Sequence, residues 1–173
     1  MKAGRFWTTY ILMVIAQMII CNYCPASPYI MISILPVIVL LIPIRYSTNV
    51  ALLTAFVTGL AVDFLADGLP GLNAFALVPV AFLRKGITTL IFGEEIFARK
   101  ENVSIAKHGI GKVSFAIIIS QTLFLTLYIW ADLAGSRSFM FCLTRFAASL
   151  ALTYPIALLV ANCLTKEDRG QWR

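Results

Sequence analysis

The sequence predicts an all-α integral membrane protein with six transmembrane helices. Composition is the first observation: 60% of the 173 residues are hydrophobic and 13% charged, with a mean hydropathy of +0.88. Soluble domains are about half apolar and about a quarter charged, and a fold of this size in water would expose a large apolar exterior. The second is that no Asp, Glu, Lys or Arg stands between Arg5 and Arg45. The third is the length arithmetic. Six spans at about 20 residues each use about 120 positions, which leaves no room for a second soluble domain and excludes an ordinary cytosolic enzyme.

The charge-free run from residue 6 to 44 is too long for one crossing, since a single helix would extend about 58 Å against a hydrocarbon core of about 30 Å. It must fold back, and Asn22-Tyr23-Cys24-Pro25-Ala26-Ser27-Pro28 is the corner, with two prolines among small polar residues. Spans over residues 7–23 and 28–44 result. The third occupies 50–65. A fourth runs over 69–92, with Arg84 and Lys85 interrupting its lower half, and spans over 113–131 and 141–164 complete the set. Between the fourth and fifth lies a mixed-charge loop, residues 93–112, whose Ile96, Phe97, Val103 and Ile105 suit a short interfacial helix followed by a turn at Gly109 and Gly111. A solvated loop is the plainer reading of the same residues.

Orientation follows from the basic residues. Twelve of the fourteen Lys and Arg fall at the two termini, the second loop (Arg45) and the fourth loop with its approach; only Arg137 and Arg145 fall on the other side. The positive-inside rule then puts both termini in the cytoplasm, as an even number of crossings requires. The net charge of +6 and pI near 9.4 therefore read as topology anchors with attraction to the lipid bilayer, and not as a nucleic-acid surface. No small-residue cleavage site follows the first span, so that helix is expected to be retained.

Asp63 is the residue that stands out, because it falls inside the third apolar run and an ionised carboxylate there must face protein or water. Gly59 lies one turn earlier on the same face, which lets a neighbouring helix approach while Asp63 meets a polar partner. Arg145 and Asn73 are the candidate partners; simple hydration at the outer end of the helix is the alternative. Asp67-Gly68-Leu69-Pro70-Gly71 then forms a tight reversal. Asn73 is placed to cap the fourth span, which would begin in a re-entrant turn held by Asp63 or Asp67.

Other chemistry is sparse. Cys21 and Cys24 have the two-residue spacing of thiol oxidoreductases, but Cys142 and Cys163 lie about 30 Å apart along one helix and form no second pair. His108 is the single histidine and has no acidic or cysteine cluster beside it in the sequence. No catalytic residues, metal ligands or cofactors are expected, and the prolines at 36, 43, 79 and 155 are expected to bend helices for packing.

The segment RYSTNVALLTAFVTGLAVDFLADGLPGLNAFALVPVAFLRKG, residues 45–86, resembles the signature region of the MreD family of rod shape-determining membrane proteins. There a Gly-x-x-x-Asp helix is followed by a glycine-containing turn and a second apolar helix, matched here by Gly59, Asp63 and Gly71, with Leu72-Asn73-Ala74 continuing the pattern. The resemblance covers about a quarter of the chain, and length and span number agree with it. It implies a six-helix fold like that of the S components of energy-coupling-factor transporters. It also implies a non-enzymatic inner-membrane role in lateral cell-wall growth. The implied partners are an MreC-like membrane protein and, through it, MreB filaments, a RodA-type glycan polymerase and a class B penicillin-binding transpeptidase. Gly59, Asp63, Asp67, Gly71 and Asn73 would shape the hairpin supporting that interface. The competing expectation is a vitamin-binding S component, with Trp7, Tyr128 and Trp130 lining an outward cavity.

Overall fold

The computed structural model describes residues 3–23, 30–67, 70–98, 102–133 and 138–166. Every element among them is helical: α1 (Ala3–Tyr23), α2 (Leu35–Leu40), α3 (Thr48–Val62), α4 (Leu72–Phe92), α5 (Glu95–Ala98), α6 (Ile105–His108), α7 (Ile110–Leu133) and α8 (Phe139–Lys166), with a single π-helical turn, Asp63–Asp67, extending α3. Five of them, α1, α3 with its π turn, α4, α7 and α8, are long and apolar enough to cross a membrane.

Sequence spacing explains how they pack. The buried face of α7 is Val113, Ala116, Ile117, Ser120, Gln121, Phe124, Leu125 and Tyr128, a stripe at helical period, while Phe115, Ile118 and Trp130 on its other faces are exposed. In water those exposed side chains would be a liability; in a bilayer they are the lipid-facing surface. α3 presents small residues instead. Ala51, Ala55 and Gly59 recur every fourth position and bring α3 close against α4, the most extensive helix pair, while α7 packs on α4 and α8. The Tyr10 and Thr58 hydroxyls, 2.9 Å apart, tie α1 to α3.

Residues 28–44 do not form the continuous helix that their hydropathy predicts. The chain runs without helical structure from residue 30 to 34, makes the six-residue α2, and turns through Pro43 to Tyr46. Ser33 to Pro43 are buried without interruption at the centre of the bundle. This segment runs antiparallel to α1: Gln17 of α1 bonds to residues 32 and 34, whereas Trp7, ten residues earlier on α1, bonds to the Tyr46 hydroxyl at 3.0 Å. Phe6, Leu41, Pro43, Asn102, Val103, Leu164 and Thr165 line one small cleft. The start of α1, the α4–α7 connection and the end of α8 therefore share one face of the bundle.

The 93–112 connection is more ordered than a solvated loop. It holds two one-turn helices, α5 and α6, and buries Ile96, Val103 and Ser104 on the bundle end. Gly109 separates α6 from α7, whereas Gly111 lies inside α7 instead of forming a turn.

Candidate functional site

The α3–α4 hairpin contains the site. Asp63 follows the last turn of α3 and is 0% exposed. Its Oδ1 accepts hydrogen bonds from the Asn73 backbone N–H and the Asn73 side-chain amide, both at 2.9 Å, and its Oδ2 accepts from the backbone N–H groups of Gly71 at 3.0 Å and Ala74 at 3.2 Å. The carboxylate thus caps α4 across the hairpin. The first N–H groups of a helix lack intrahelical acceptors, and in an apolar setting each needs one; a negative charge at the positive end of the helix dipole adds to the gain.

Two glycines make that geometry accessible. Gly71 holds φ +100°, a left-handed conformation that strains other residues, and this turns its N–H onto Asp63. Gly59 is a matter of space: a Cβ there would lie 2.5 Å from both the N and Cα of Ala74 and 2.9 Å from the carbonyl carbon of Asn73. Backbone meets backbone at this point, so no side chain can swing aside. Gly59→Val is therefore expected to lower stability by about 3 kcal/mol, the upper end of overpacking costs. Thermal unfolding in detergent measures it, and a midpoint equal to wild type refutes the close approach.

The structure brings Gly59, Asp63, Gly71 and Asn73 into one cluster. Asn73 contributes differently from the expectation, donating its amide to Asp63 while Asp63 supplies the cap. The Asp67 backbone closes the π turn, and its side chain lies outside the described residues, as do Gly68 and Leu69. Arg145 is not a partner of Asp63. It pairs with Asp132 at 2.6 Å, joining the end of α7 to the start of α8. Cys24 lies outside the described residues; Cys21 accepts a hydrogen bond from the Gln17 amide at 3.0 Å, and Cys142 and Cys163 are free thiols near opposite ends of α8. The His108 ring packs edge-on against Phe92 at 4.9 Å. Trp7, Tyr128 and Trp130 do not gather around one cavity. Trp7 is bonded to Tyr46 near the start of α3, Tyr128 stacks on Phe124 in the core, and Trp130 is exposed near the far end of α7.

Sequence reasoning missed a second polar system, the one that holds the largely non-helical segment between α1 and α3. The Gln17 amide acts as a stand-in peptide group, accepting from Ile34 N–H at 2.8 Å and donating to Ile32 O at 3.0 Å. Gln121 donates to Ser33 O at 2.9 Å, Thr153 to Met31 O at 3.3 Å, and Ser149 accepts from Met31 N–H at 2.8 Å. At the other end, buried Arg84 donates from Nε to Leu40 O at 3.1 Å and from Nη2 to Ile42 O, closing the carbonyl end of α2. Arg84 is thus a core residue and not a loop anchor like its neighbour Lys85, which is exposed. The signal was present in the sequence as single polar residues in apolar runs, Gln17 and Gln121 above all.

These features define a class: a multi-pass α-helical membrane protein whose described buried polar side chains largely serve its own backbone. Compared with protein-family profiles, curated proteins and solved structures, the chain matches none.

Proposed function

We propose that this chain is a non-enzymatic scaffold of the bacterial cell-elongation machinery, of the kind the MreD-like segment implies. In this reading it sits in the inner membrane with both termini in the cytoplasm. It clasps the transmembrane helix of an MreC-like protein and so supports a RodA-type polymerase and its transpeptidase during peptidoglycan synthesis. The observation that carries the reading is the Asp63 cap. The only fully buried carboxylate among the described residues is committed through four hydrogen bonds to fixing a hairpin. A group so engaged serves shape. Beside it the hairpin presents Leu53, Phe56 and Val57 on α3 and Phe64 and Leu65 on the π turn, all exposed, as an apolar ridge suited to a partner helix.

Affinity purification of the tagged chain from native membranes tests this. Recovery of an MreC-like protein with wall-synthesis enzymes is expected; recovery of a transporter energy-coupling module instead overturns the proposal. Depletion is expected to round rod-shaped cells, whereas a vitamin receptor would leave an auxotrophy. Normalised to folded chain, Asp63→Leu is expected to reduce partner recovery more than Cys24→Ser does, and equal losses count against a role for the hairpin.

A further inference from the structure

A different polar place lies at the opposite end of the same hairpin. The antiparallel register that sets Gly59 against Ala74 also sets Thr48 against Lys85, about 22 Å from Asp63 along α3. There a cleft of about 170 Å³ opens, lined by Tyr46, Ser47, Thr48, Arg84, Lys85 and Phe97 among others. Two of its lining residues are cationic and none is acidic; Glu94 and Glu95 follow nearby in the chain but do not line it.

Each part suits an anion. α3, fifteen residues long, begins at Thr48 after Ser47, which gives no side-chain cap; its first N–H groups have no acceptor within the helix, and its positive dipole end opens at the cleft. Arg84 is held rigidly by the Leu40 and Ile42 carbonyls, placing a fixed guanidinium in the wall. The Lys85 ammonium rests 5.7 Å above the centre of the Phe97 ring, an arrangement that leaves N–H donors for a ligand. Tyr46 accepts hydrogen bonds from Trp7 and Arg45, so its own proton is the bond it has left to give. A phosphate group, with its charge and several acceptor oxygens, matches such a set of donors. One turn along α4 from Lys85, exposed Phe82 continues the same face toward the apolar middle of the helix.

We infer that this cleft binds a phosphate group at the membrane surface, carried by an anionic phospholipid or free in solution. Native mass spectrometry of the detergent-solubilised full-length chain tests it with three probes: phosphatidylglycerol, phosphatidylcholine and inorganic phosphate. Phosphatidylglycerol is expected to bind in preference to phosphatidylcholine, and Lys85→Gln to weaken it about fivefold, the usual effect of one basic residue near an anionic headgroup. Lys112→Gln, which removes an exposed charge at the start of α7 outside the cleft, is expected to leave binding unchanged. If inorganic phosphate binds with the same dependence on Lys85, the physiological source is soluble; if only the lipid does, it is the leaflet. Equal binding of the two lipids, or equal losses for Lys85→Gln and Lys112→Gln, overturns the site in favour of diffuse attraction. Unchanged thermal midpoints for both variants establish that the fold is intact.

Discussion

Asp63→Ala is expected to destabilise the chain by about 3 kcal/mol or more, with unfolding of the α3–α4 hairpin ahead of the rest. Three backbone N–H groups and the Asn73 amide lose their acceptor at once. A buried donor left unsatisfied costs about 1 to 3 kcal/mol, and an apolar surrounding offers little water to replace the carboxylate. Asp63→Asn keeps one acceptor oxygen but faces the Asn73 amide and three N–H groups with an NH₂ group and no charge. An intermediate loss is expected for it. Thermal unfolding in detergent, read together with hydrogen exchange at Gly71, Asn73 and Ala74, gives the answer. Protection at those three amides that survives in Asp63→Ala would mean that the cap contributes nothing.

Arg84→Leu is the second large effect. The Leu40 and Ile42 carbonyls are buried and receive their donors from Arg84. Leucine fills part of the space but donates nothing, so a loss of about 2 to 6 kcal/mol follows for two orphaned carbonyls. Lys85→Leu, one residue on, is expected to change stability by no more than about 0.5 kcal/mol, because Lys85 is exposed and its described contact is the Phe97 ring. A charge count along the sequence treats these two cations alike, and the stability measurement separates them. Equal effects would contradict the burial of Arg84.

That contrast shows what was legible in the sequence. The long helices were, because about 20 apolar residues in a row have few other fates. Gly59, Asp63, Gly71 and Asn73 were also legible as a group. Their relation is local: one helical turn separates the first two, a short reversal reaches the third, and the fourth begins the next helix. The largely non-helical segment between α1 and α3 was not. Its apolar residues average to the hydropathy of a helix, and what permits an irregular backbone there is donated from α1, α4, α7 and α8, up to 122 positions away. Single-sequence periodicity carries no record of such distant pairing. Arg145 was expected as a candidate partner of Asp63, but its pairing with Asp132 is set by which helix ends meet.

The non-helical stretch at residues 30–34 has a consequence for biosynthesis. A helix can enter the bilayer as soon as it is made, since its peptide groups bond within the segment. Residues 30–34 have no such independence. Gln17 precedes them and is available at once, but Gln121, Ser149 and Thr153 are translated 88 to 122 residues later. Until α7 and α8 are made, residues 30–34 have the two bonds from Gln17 but lack the three from Gln121, Ser149 and Thr153. The hydrogen bonding of residues 30–34 is therefore completed only once α7 and α8 have been made, and a nascent chain stopped before α7 is expected to leave those residues more open to aqueous labelling reagents than the finished chain does.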